Sequence, residues 1–150
     1  MNLLLSVVSI VELVPTLIRV VVLWALVAAV FHQLKGNKSR TLSLCALLVL
    51  FASQFSSGSE LLPSLVAYSV MGIGGAVTEG LYIRYFADTW DYRAPKVFNL
   101  PLWLFPMWAI AAMIVVNLYP VLVKMIDQGQ HMLKVAADER AKHQKKINKN

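Results

Sequence analysis

The sequence predicts an all-α integral membrane protein, a helical bundle with about four transmembrane helices and a polar C-terminal helix. Hydrophobic residues make up 58% of its 150 residues, and the mean hydropathy is +0.63. Soluble domains are typically about 45–50% apolar, and a small soluble fold leaves a large fraction of its surface in water. Long apolar stretches separated by short polar turns therefore indicate a chain surrounded by lipid.

The charged residues are few, and the basic ones cluster beside the apolar spans. Charged residues make up 15% of the sequence and the formal net charge is +6, with basic clusters at residues 35–40 and after residue 123. Basic residues beside apolar spans are typical of membrane orientation and attraction to anionic headgroups. We therefore expect membrane lipids as partners and a multi-pass location in a membrane, with no binding of nucleic acid.

The first predicted span covers residues 3–34 and contains an unbroken apolar run from Val20 to Phe31. One crossing needs about 20 apolar residues, so this segment is longer than necessary. Pro15 is the expected place for a change of direction, because proline interrupts helix hydrogen bonding. A basic turn at residues 35–40 ends the segment.

The second predicted span, residues 41–56, is short for a crossing on its own. A polar turn at residues 56–60 follows it and predicts a hairpin with the third span, in which Pro63 fits the first helical turn.

The third predicted span, residues 60–86, carries a stripe of small side chains. Residues of this kind let two helices approach closely in lipid, where association depends on packing. Glu79 falls about 20° from Gly72 at about 100° per residue, so its carboxylate is expected within the contact face. The predicted helix-packing residues are Ser69, Gly72, Gly75, Ala76 and Gly80.

The fourth predicted span, residues 101–123, has Pro106 and Pro120 as expected bends. We expect a transmembrane bundle over residues 1–124 and a basic, solvent-exposed helix or tail over residues 125–150. An alternative arrangement has three crossings and one re-entrant segment.

Three ionisable residues lie within the apolar spans and form a candidate intramembrane site: Glu12, Arg19 and Glu79. An ionised group at the centre of a transmembrane helix costs about 2.5–3.5 kcal/mol on insertion scales. One interpretation is a buried ion pair or hydrogen-bond network that determines which helices touch, with Arg19 meeting Glu12 or Glu79. The other is a polar pocket for a substrate, an ion or a lipid headgroup.

A second candidate site lies in the polar, aromatic connection after the third span. The favoured interpretation is an interfacial aromatic belt with surface ion pairs. The functional alternative is a headgroup site, because arginine binds phosphate in a bidentate fork. The residues of this candidate site are Arg84, Asp88, Trp90, Asp91, Tyr92 and Arg93.

No motif in the sequence indicates a metal site or a cofactor. The single cysteine excludes an internal disulfide and a multi-thiolate metal site. The three histidines do not have metal-ligand spacing, and the glycines at 72–75 lie within an apolar helix rather than a phosphate loop.

Three functions remain open from the sequence. The favoured hypothesis is an accessory, assembly or scaffold subunit of a membrane complex, which binds other membrane protein subunits or further copies of itself. The first alternative is an intramembrane enzyme or carrier acting on a lipid or isoprenoid, and the second is an oligomeric transporter or channel. The absence of a convergent catalytic set favours the first hypothesis.

Overall fold

The computed structural model describes the backbone of residues 2–85, 96–97 and 100–147, and the side chains of residues 13–85, 100–142 and 144. Within these residues the chain is helical apart from short turns and one pair of two-residue strands. The helices are α1 (Asn2–Gln33), α2 (Asn37–Phe55), α3 (Leu61–Tyr85) and α4 (Leu104–Ile147). The strands β1 (Lys96–Val97) and β2 (Leu100–Pro101) pair antiparallel just before α4. The predicted all-helical class is confirmed.

The prolines interrupt the helices less often than the sequence analysis predicts. Helix α1 continues through Pro15, and Pro63 and Pro106 both fall within a first helical turn, where proline displaces no helix hydrogen bond. Only Pro120 lies well inside α4. Helix α4 runs on past residue 124, so the predicted fourth span and the predicted C-terminal helix belong to one continuous element.

Helices α1 and α2 form an antiparallel hairpin around the turn at residues 34–36. Near the turn, the Arg40 guanidinium donates hydrogen bonds to the carbonyl oxygens of Leu34 and Phe31. At the other end of α2, the Arg19 guanidinium donates to the carbonyl oxygen of Gln54, at 3.1 Å. The two helices therefore stay adjacent over the whole length of α2.

Helices α3 and α4 are also antiparallel and lie closest to each other. Near one end of the pair Gly80 lies against Leu100, and near the other Asn117 hydrogen bonds to Tyr68. Between these points α3 packs directly on the backbone of α4 at Gly72.

All four helices contribute to one apolar core. Val20, Leu23 and Val27 of α1 meet the buried faces of the other three helices there. The remaining members of the core are Leu44, Leu48, Phe51 and Ala52 of α2, Tyr68 of α3, and Ala109, Ile110, Met113 and Ile114 of α4.

The outer surface of the bundle is apolar as well. Val21, Leu62 and Val115 are 65%, 72% and 61% exposed, and contiguous apolar exposure on this scale marks a surface that meets lipid or protein. Three helical segments of the described chain are long and apolar enough to cross a membrane: Leu13–Gln33, Leu61–Tyr85 and Leu104–Lys142. These segments are consistent with a membrane protein.

Helix α2, which corresponds to the second predicted span, is long enough at 19 residues but not apolar enough to qualify. The physical reason is that its first two turns, from Asn37 to Ser43, are largely polar, which leaves a short apolar run within its 19 residues.

Candidate functional site

Arg19 is positioned on α1 so that its guanidinium reaches the C-terminal end of α2. Besides the hydrogen bond to the Gln54 carbonyl oxygen, its Cζ lies 5.7 Å from the centroid of the Phe55 ring. The last four carbonyls of a helix lack intrahelical donors and carry partial negative charge. Arg19 therefore satisfies one of these carbonyls and offsets the dipole of α2.

Arg40 makes the equivalent contact at the C-terminal end of α1. Its Nη2 donates to the Phe31 carbonyl oxygen at 3.2 Å, and its Cζ lies 5.3 Å from the centroid of the Phe31 ring. The sequence pattern marks Arg40 only as part of a basic turn. Its position in the first turn of α2, directly after the end of α1, is the signal that could have identified it as a cap.

Glu79 forms a polar contact with α4. Its carboxylate Oε2 accepts a hydrogen bond from Nε1 of Trp108, at 2.7 Å. The Trp108 ring lies over Gly75, where a Cβ atom would stand 2.7 Å from the ring. The absence of a side chain at Gly75 thus lets the indole cross α3 and reach the half-buried Glu79.

Most of the predicted small-residue stripe faces α4. A Cβ atom at Gly72 would lie 2.8 Å from both the Phe105 carbonyl oxygen and the Ala109 Cβ. Ala76 is fully buried beside Leu100 and Leu104. The stripe is therefore occupied within the chain itself and is not left open to another protein.

Gly80 and Ser69 lie at the two ends of the predicted stripe. A Cβ atom at Gly80 would stand 2.9 Å from the Leu100 side chain, whereas Ser69 is exposed and its hydroxyl donates to the Leu65 carbonyl oxygen at 2.7 Å. The stripe thus contacts α4 and the β2 strand from Gly72 onward.

A further polar contact joins α3 to α4 deeper in the bundle. Nδ2 of Asn117 donates to the Tyr68 hydroxyl oxygen at 3.0 Å and to the Met113 carbonyl oxygen at 2.7 Å. Tyr68 is 4% exposed. The sequence does not identify Tyr68 as a contact residue, because a tyrosine within an apolar run carries no sign of the partner its hydroxyl will meet.

The interfacial candidate site falls mostly outside the described residues. Arg84 lies in the last turn of α3, with its Cζ 5.6 Å from the Tyr85 ring centroid. The remaining residues of that prediction, Asp88, Trp90, Asp91, Tyr92 and Arg93, are outside the described part, as is the side chain of Glu12.

The hydrogen bonds of Arg19 and Glu79 lie with different helices. Arg19 bonds to α2, whereas Glu79 bonds to α4. Among the residues described, no group of three His, Cys, Asp or Glu side chains could hold a metal ion. The polar side chains thus connect helices pairwise: α1 with α2, and α3 with α4.

Comparison of the chain with known protein families, with curated proteins and with solved structures finds no match.

Proposed function

We propose that this chain is a small multi-pass membrane protein whose four bundle helices all cross the bilayer, and that it serves as an accessory or scaffold subunit of a membrane complex. Different observations support the number of crossings and the accessory role.

The geometry of the α1–α2 hairpin supports a fourth crossing. The 19 residues of α2 rise about 28 Å at about 1.5 Å per residue, close to the roughly 30 Å of bilayer hydrocarbon. The contacts of Arg40 and Arg19 hold α2 antiparallel to α1 at both of its ends. If α1 crosses the bilayer, α2 returns the chain over the same depth, and α3 begins on the side where α1 entered.

The polar side chains of α2 and α3 are compatible with that depth. The Ser53 hydroxyl donates to the Leu50 carbonyl oxygen at 2.7 Å, and the Thr78 hydroxyl donates to the Gly74 carbonyl oxygen at 2.8 Å. Hydroxyls bonded to their own helix in this way need no water. On its inner face, α2 is covered by the other helices at Leu44, Leu48 and Phe51.

The observation that carries the accessory role is that the polar side chains at membrane depth hold the helices together. Arg19 caps α2, Glu79 accepts from Trp108, and Asn117 donates to Tyr68. Polar contacts between helices, of which the Tyr68–Asn117 bond is partly buried, help to specify which helices touch. An intramembrane enzyme or carrier that used Arg19 together with Glu79 would need the two to converge, and their contacts lie with different helices.

The test of the role is purification of the tagged full-length chain from its native membrane in mild detergent, with stoichiometric analysis of the proteins and lipids that accompany it. We expect a stoichiometric protein partner that is also recovered with Glu79→Gln, because the glutamine retains an acceptor for Trp108. A chain that purifies alone contradicts the accessory role. A stoichiometric lipid or isoprenoid that is lost in Glu79→Gln would favour the carrier or enzyme instead.

A further inference from the structure

The C-terminal part of α4 extends beyond the bundle. Asn117 lies opposite Tyr68, and α3 begins seven residues before Tyr68, at Leu61. Because the two helices are antiparallel and rise equally, α4 comes level with the start of α3 near Lys124. Helix α4 continues to Ile147. Residues 122–142 are named the α4 extension here.

The α4 extension has two different faces. At about 100° per residue, its exposed large apolar side chains lie between residues 122 and 133 and fall within an arc of about 120°. The opposite side carries Lys124, Asp127, His131, Lys134 and Asp138, and beyond the apolar stretch Arg140 falls on the apolar side. The apolar side chains have no cover within the described chain: Leu133 is 74% exposed and Ile126 is 59% exposed. The other exposed members of this apolar face are Leu122, Met125 and Met132.

We propose that this apolar face docks on the surface of the bilayer that the bundle crosses, in a leaflet that contains anionic lipid. The charge of this end of the chain favours that occupant. The extension carries four basic and three acidic residues, and Lys145, Lys146 and Lys149 follow it, so the chain after residue 123 holds seven basic and three acidic residues. A helix with an apolar face and an excess of basic residues beside it is typical of helices that lie in the headgroup region.

A second copy of the chain fits the same face less well. Two parallel extensions would place their excess positive charge side by side. A two-stranded coiled coil also needs a narrow apolar seam with charged flanking positions. Here Ile126 and Leu133 broaden the seam on one flank, and Gly129 falls within it.

Pro120 gives α4 a place to change direction toward the membrane surface. It lies inside the helix, four residues before the level at which α3 begins. Proline has no N–H group to donate to the carbonyl four residues earlier, here that of Val116, and kinked helices commonly bend at such a site. The extension can thus turn from the axis of the bundle into the plane of the headgroups.

The inference rests on the membrane crossing proposed above and not on the accessory role. It is tested on the full-length chain with Cys45→Ser as background, reconstituted in vesicles of phosphatidylcholine alone or of phosphatidylcholine and phosphatidylglycerol in equal parts. One environment-sensitive fluorophore is attached through Leu133→Cys on the apolar face, through His131→Cys on the polar face, or through Val115→Cys on the lipid-facing side of the bundle.

The expected result is a blue-shifted emission at Leu133→Cys in the vesicles with phosphatidylglycerol, a smaller shift in phosphatidylcholine alone, and water-like emission at His131→Cys. Raising the salt from about 0.1 M to about 1 M shortens the Debye length from about 10 Å to about 3 Å, so the lipid-dependent difference should shrink.

Two results would overturn the inference. Water-like emission at Leu133→Cys in both kinds of vesicle would mean that the apolar face does not contact the membrane. A blue shift that depends on protein density but not on lipid charge would mean that the face binds another copy of the chain. The reference position separates the two proposals: blue-shifted emission at Val115→Cys means that the crossing holds even when the docking fails, whereas water-like emission there means that the crossing itself fails.

Discussion

Gly72 and Gly74 lie two residues apart on α3 and have opposite surroundings. A Cβ atom at Gly72 would meet the Phe105 carbonyl oxygen and the backbone nitrogen of Ala109 at 2.8 and 2.9 Å, whereas one at Gly74 would meet nothing within 4 Å. The difference arises because Gly72 faces α4 and Gly74 faces away from the bundle. The pair offers a matched test of how closely the two helices must approach.

We predict that Gly72→Ala separates α3 from α4 and lowers the free energy of unfolding by about 1–3 kcal/mol, the usual cost of overpacking. The obstacle is backbone, which cannot move aside as a side chain can. Gly74→Ala should leave stability unchanged or raise it by about 0.5–1 kcal/mol, since alanine favours the helix. Unfolding in a mixed detergent titration measures both, and equal effects of the two variants would argue against the close contact.

The Tyr68–Asn117 hydrogen bond supports a second prediction at this scale. In membrane proteins such side-chain bonds between helices contribute about 0.6 kcal/mol on average by double-mutant cycles. We expect a coupling energy of about that size for Tyr68→Phe with Asn117→Ala, because each change removes the same 3.0 Å contact. If the losses of stability in the two single variants simply add in the double variant, the hydrogen bond does not contribute to stability.

At the scale of the elements, the α1–α2 hairpin is held by an arginine at each end. Each guanidinium binds carbonyl oxygen at the C-terminus of the neighbouring helix and lies near an aromatic ring there. Cations near a helix C-terminus stabilise it by about 0.3–1 kcal/mol, and by up to about 2 kcal/mol when partly buried. The Arg40 contacts are partly buried, so they should contribute more than the exposed contact of Arg19.

We predict that Arg40→Ala lowers the free energy of unfolding by about 1–2 kcal/mol. Lys38→Ala, which removes a neighbouring exposed charge from the same turn, should have little effect. Circular dichroism during heating in detergent measures the difference. Similar losses for both variants would mean that the net charge of the turn, and not the cap on α1, is responsible.

The elements are also the scale at which the sequence was most informative. Long apolar runs and the polar turn at residues 56–60 are local signals, so the starts and ends of α1 and α3 fall close to the predicted positions. Helix α2 begins at Asn37, before the predicted residue 41, because the polar residues of its first turn still form helix.

The partners of the polar side chains were not predictable in the same way. The contact of Arg19 with the Gln54 carbonyl depends on the register between two helices, and no periodicity within one helix records that register. Glu79 could be placed on the stripe that faces another helix. Its bond to Trp108, however, requires the ring to pass over Gly75, a fact of packing.

For the whole molecule, the number of crossings decides on which side of the membrane each turn lies. Four crossings place the turn at residues 34–36 and the turn at residues 56–60 on opposite sides, because α2 passes between them. An arrangement in which α2 does not cross would place both turns on one side. Length and composition indicate three spans, whereas the hairpin geometry favours four crossings. The position of the two turns relative to the membrane distinguishes these arrangements.

We predict that single cysteines at Lys35 and at Ser57, in a Cys45→Ser background, react with a membrane-impermeant thiol reagent from opposite sides of sealed vesicles. Detergent-solubilised protein, in which both positions are accessible, is the control for reactivity. Labelling of both cysteines from the same side would contradict the fourth crossing.

The arginine caps of the first hairpin also affect the order of events during synthesis. Both contacts lie before Leu61, where α3 begins. The hairpin therefore has its hydrogen-bond partners for both helix ends as soon as α2 has emerged from the ribosome. If α2 crosses as proposed, the hairpin can enter the bilayer as a formed pair and present a surface on which α3 and α4 assemble.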